Sequence, residues 1–75
     1  MDSIDELVKM GKKHLEDGRY DDALNLFQKA ILLNQNDPDL WNLKGIALRS
    51  LGRYNEAIEC FNKSLEIDPR DKNAS

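Results

Sequence analysis

At 75 residues the chain is at most one small domain, whose thin core is marginal unless its packing is regular. A third of the residues are charged, but acids and bases are interleaved and the net charge is only −3, which argues against the basic face that nucleic acid requires. No apolar stretch approaches membrane-spanning length and no secretory segment follows Met1. Cys60, the only cysteine, rules out an intrachain disulfide and fits a cytoplasmic location.

The spacing predicts four helices. Ser3-Ile4-Asp5-Glu6 forms a capping box, and the helix it opens runs to about Asp17, before Gly18 as a left-handed cap. A second helix is expected from about Asp21 to Asn34. Asp21 and Asp22 lie in its first turn, where acids complement the amide dipoles. Asp37-Pro38 reads as an N-cap followed by proline at the first helical position. The third helix ends before Gly52. The fourth runs from about Asn55 to Ile67, with Asp68-Pro69 as its stop. Apolar residues recur at helical spacing, as in Ala23, Leu24, Phe27, Ala30 and Ile31, and no segment alternates with the strand period.

The sequence also repeats itself at an offset of 34 residues. Gly11 falls on Gly45, Gly18 on Gly52, Tyr20 on Tyr54, Ala23 on Ala57 and Phe27 on Phe61. Two units follow, residues 4–37 and 38–71, with a tail at 72–75 that is either disordered or the start of a further unit. In the second unit Trp41, Gly45, Gly52, Tyr54, Ala57, Phe61 and Pro69 carry a pattern that resembles the tetratricopeptide repeat family. Leu7, Lys44 and Gln35 depart from it at single positions. The resemblance implies an all-α fold: two stacked helix–turn–helix units forming a short right-handed α-solenoid, with the first helix of each unit on the concave side.

Close approach of antiparallel helices explains the small residues Gly11, Gly45, Ala23 and Ala57. Phe27, Phe61, Tyr20, Tyr54 and Trp41 are expected to fill the space beside them. Leu40, Ala47 and Leu51 should meet the preceding unit, whereas their counterparts Glu6, Lys13 and Asp17 suit a solvated end. Cys60, Ser64 and Ile67 are expected to line an uncovered side of the last helix. Such a side would be covered by a further unit of a longer array or by a second copy of the chain.

No pattern supports catalysis, a cofactor or a metal. His14 has no second ligand at metal spacing, Cys60 no base beside it, and Ser3 and Ser64 no histidine–acid partner. What remains is a surface for a protein or peptide, with no role for nucleic acid or membrane. By resemblance, its concave face takes Asp5, Val8, Lys9, Lys12, Leu15 and Glu16 from the first helix. The third helix adds Asp39, Asn42, Leu43, Ile46, Arg49 and Ser50, with Arg53 at the rim. That mixture of apolar and basic positions would complement an extended peptide bearing an acidic residue among apolar ones. A carboxylate clamp of lysines and asparagines, which some members carry, is not supported, because Val8, Lys12 and Leu43 stand where it would want Lys, Asn and Asn. The expected function is therefore protein–protein interaction. The alternative is an assembly module that self-associates through its last helix, around Cys60, Ser64 and Ile67.

Overall fold

A computed structural model describes residues 3–69; Asp71 and the proposed tail at 72–75 lie outside the described residues. The fold is all-α. Helices α1 (Ile4–Glu16), α2 (Tyr20–Leu33), α3 (Pro38–Ser50) and α4 (Tyr54–Ile67) follow one another through short turns. Ser3 and Asp37 cap their helices. The Ser3 hydroxyl accepts from the Glu6 amide, and the Asp37 carboxylate accepts from the Asp39 amide, with Pro38 opening α3. The Ser3 hydroxyl also donates to the Glu6 carboxylate at 3.3 Å.

Gly18 and Gly52 end the first helix of each unit in the left-handed region, at φ 78° and 82°. There the chain reverses through paired hydrogen bonds. Gly18 N–H donates to Leu15 and Arg19 N–H to His14, while Gly52 N–H donates to Arg49 and Arg53 N–H to Leu48. These bonds satisfy carbonyls that the helix end would leave orphaned.

Helix α2 packs against both α1 and α3, and α4 packs against α3. One core cluster joins Ala23, Leu24 and Phe27 of α2 to Ala47 and Leu48 of α3 and to Ala57 and Cys60 of α4. A second joins Leu7 to Ala30, Ile31 and Leu40. The small residues sit at the crossings: a Cβ at Gly45 would stand 2.5 Å from Phe61 Cε1, and one at Gly11 would run into the same atom of Phe27. Leu40 and Ala47 are buried against the first unit and Leu51 is half-buried, while Glu6, Lys13 and Asp17 face solvent.

Two expectations need correction. Not all the aromatics fill the interior: Phe27 is fully buried, Trp41 and Phe61 only partly, and Tyr54 is 63% exposed. Tyr54 opens α4, and no following described helix covers it. Nor do Cys60 and Ser64 line an open side. They are 5% and 1% exposed, facing the other helices, and Ile67 is half-buried. The outward face of α4 instead carries Ile58, 54% exposed, with Phe61 and Leu65 half-buried. These repeat the register of Leu24, Phe27 and Ile31, which are buried in the first unit because α3 lies over α2.

Candidate functional site

Because α1 and α3 both lean on α2, a groove of about 400 Å³ opens between them. Their N-terminal halves line it, so the two helix starts lie at the same end. The apolar part of the wall comes from Ile4, Val8, Leu40 and Leu43. Val8 and Leu43 are half-buried and backed by the core clusters, which fixes them as a surface rather than as loose side chains. The polar part comes from Asp5, Asp37, Asp39, Lys12 and Asn42.

Of the residues expected on the concave face, Asp5, Val8, Lys12, Asp39, Asn42 and Leu43 line this groove. Lys9 borders a separate, more open hollow of about 620 Å³ with Met10, Lys13, His14 and Glu16, which Lys12 also reaches. Leu15 packs against the core, and Ile46 is half-buried. The two arginines are occupied elsewhere. The Arg49 guanidinium lies 6.0 Å from the centroid of the Phe61 ring. Arg53 donates from Nε and Nη2 to both carboxylate oxygens of Glu56, at 2.6 and 2.8 Å. That bond holds the Glu56 carboxyl below its ordinary range and raises Arg53 further.

Ile4, Asp37 and Leu40 joined the groove without having been singled out for it. Asp37 was legible only as a cap and Leu40 only as a contact to the preceding unit. Lys44, a departure from the repeat pattern, places its ammonium 5.4 Å from the Trp41 ring centroid, while Trp41 Nε1 donates to the Gln35 carbonyl at 2.9 Å.

Among the described residues, no group of three His, Cys, Asp or Glu is placed to hold a metal ion, and no helix is long and apolar enough to cross a membrane. His14 is half-buried, with its Nδ1 lacking a hydrogen-bond partner. Burial pushes the Cys60 thiol above its ordinary pKa, the opposite of what a reactive cysteine needs.

Residues 38–71 match the family model described as tetratricopeptide repeat, and residues 11–48 match one described as TPR repeat. An uncharacterized protein of Methanocaldococcus jannaschii is 44% identical over 72 residues, covering 87% of this chain and 84% of that protein. Human anaphase-promoting complex subunit 7 is 47% identical over 51 residues, 68% of this chain. A Hsp70-Hsp90 organising protein of Plasmodium falciparum is 40% identical over 62 residues, 81% of this chain. The chain spans only 9% and 24% of the last two proteins' own lengths.

Proposed function

Since the chain belongs to the tetratricopeptide repeat family, we propose that it is a protein-interaction module that takes an extended segment of a partner along the groove between α1 and α3. The observation that carries this is the groove's wall: aliphatic side chains held in place by the core stand beside open polar ones. An extended peptide presents that same alternation. The names of two relatives, a subunit of the anaphase-promoting complex and an organiser of Hsp70 and Hsp90, support a role in holding proteins together.

The module acts by binding and performs no reaction of its own. Its partner is a protein or peptide, not nucleic acid or a membrane, and a cytoplasmic setting suits its single buried thiol. Selection of a random peptide display library against the chain tests the groove. Enriched peptides should lose binding to Leu43→Ala and keep it to Leu32→Ala, whose exposed residue lies outside the groove. Peptides indifferent to Leu43→Ala would place the binding surface elsewhere.

A second reading is self-association through the outward face of α4. The observation favouring it is that Ile58, Phe61 and Leu65 leave uncovered the register that α3 covers on α2. This replaces the surface around Cys60 and Ser64, which is buried. Sedimentation at high concentration should show a species larger than the monomer that Ile58→Lys disperses. A monomer throughout rejects this reading.

A further inference from the structure

We propose that the groove selects a segment in which a lysine or arginine stands beside an aliphatic side chain; this rests on the reading of that groove as a peptide site. The sign of its charge carries the inference. Three carboxylates line it, Asp5, Asp37 and Asp39, against the single ammonium of Lys12. Asp5 and Asp39 lie in the first turns of α1 and α3, and Asp37 caps α3. The dipoles of the two helix starts supply about half a positive charge each. Together with Lys12 they offset about two of the three negative charges, so the groove stays anionic.

None of the three carboxylates is in an ion pair with a described residue. Asp37 accepts from the Asp39 amide at 3.0 Å, while the exposed side chains of Asp5 and Asp39 remain open to a ligand. The other basic residues that the sequence assigns to this face do not line the groove: Lys9 borders the neighbouring hollow, Arg53 is held by Glu56, and Arg49 lies over Phe61.

A lysine or arginine matches this arrangement along its whole length. Its methylene stem lies on apolar surface, here Val8 and Leu43, while its head reaches a carboxylate. A neighbouring aliphatic residue uses the rest of the wall. An acidic segment would instead meet three like charges and find one ammonium, and such juxtaposition is how interfaces reject partners. The peptide expected from sequence, with an acidic residue among apolar ones, therefore has the wrong sign for this groove.

The test is a nuclear magnetic resonance titration of the chain with three capped pentapeptides: Ala-Leu-Lys-Leu-Ala and its counterparts with Gln or Glu at the centre. The Lys peptide should move the Val8, Asn42 and Leu43 amides and bind about fivefold tighter than the Gln peptide, with Glu weakest, as one exposed ion pair at the upper end of its usual strength would give. The preference should shrink in the Asp5→Asn/Asp39→Asn double variant. It should also shrink in 1 M salt, where screening acts within about 3 Å. Circular dichroism of the double variant checks that its helices persist. Equal affinities for Lys and Gln, a preference for Glu, an unchanged preference in the double variant, or no groove shift with the Lys peptide overturns the proposal. Equal binding of all three at the groove would overturn charge selection alone. Library peptides indifferent to Leu43→Ala would overturn the groove itself.

Discussion

The Phe27 ring lies so close over Gly11 that a single methyl group there would collide with its Cε1 atom. Phe27 is fully buried, held between α1 and the core of the second unit, and has nowhere to move. The same contact recurs between Gly45 and Phe61, but Phe61 is only half-buried and can swing toward the outward face of α4.

Alanine at the two glycines should therefore have different effects. Gly→Ala inside a helix normally gains about 1 kcal/mol, whereas overpacking costs about 1–3 kcal/mol. Gly11→Ala should lose about 1–2 kcal/mol net, and Gly45→Ala should stay within about 0.5 kcal/mol of the parent. Denaturant melts of both variants decide this, and equal shifts would show that Phe61 is as fixed as Phe27.

Ser64 is 1% exposed, and its hydroxyl has no hydrogen-bond partner. Its counterpart in the first unit, Ala30, is fully buried with no such group. Removing an unsatisfied buried hydroxyl and improving helix propensity act in the same direction. Ser64→Ala should raise stability by about 1 kcal/mol, read as a higher thermal midpoint. A lower midpoint would mean that the hydroxyl is satisfied in solution.

The Arg53–Glu56 pair sets a pH dependence whose sign is fixed. Hydrogen bonding from Arg53 lowers the folded-state pKa of Glu56, so its contribution is present above the unfolded-state value and fades as pH falls through the folded one. Both side chains are exposed, so the effect is small and screened by salt. The carboxyl resonance of Glu56 should titrate at lower pH in the parent than in Arg53→Ala. Coincident curves would show that the pair does not persist in solution.

The fold was legible because each local signal agreed with the repeat. Ser3 and Asp37-Pro38 mark helix starts, Gly18 and Gly52 mark helix ends, and the Gly–Phe spacing fixes how the helices cross. The burial of Ser64 is equally readable, since it shares a register with Ala30, which is buried in the first unit. The groove was less legible. Periodicity says which face a residue is on, yet it does not say where a long side chain goes. Arg49 found Phe61, and Arg53 found a carboxylate three residues along its own helix. Asp5 and Asp39 were legible as concave-face residues and Asp37 only as a cap, but linear spacing does not show that two helix starts bring all three to one groove.

Lysine substitutions on α4 separate the inward face from the outward one. Cys60 is 5% exposed and belongs to the core cluster with Phe27 and Leu48, so Cys60→Lys forces an ammonium into an apolar site with no carboxylate in that cluster. Burying an unpaired charge is among the few single changes that reach several kcal/mol, even when the group partly escapes by losing its proton. A two-unit array has little stability to spare, so Cys60→Lys should unfold the chain at room temperature. Ile58, 54% exposed on the same helix, already stands in water. Ile58→Lys should leave the monomer's stability within about 0.5 kcal/mol, since surface substitutions away from special features rarely do more. Helical circular dichroism at low concentration, where association is negligible, compares the two. A folded Cys60→Lys protein with a midpoint near that of Ile58→Lys would mean that α4 is rotated from the orientation described, with Cys60 on its outer side.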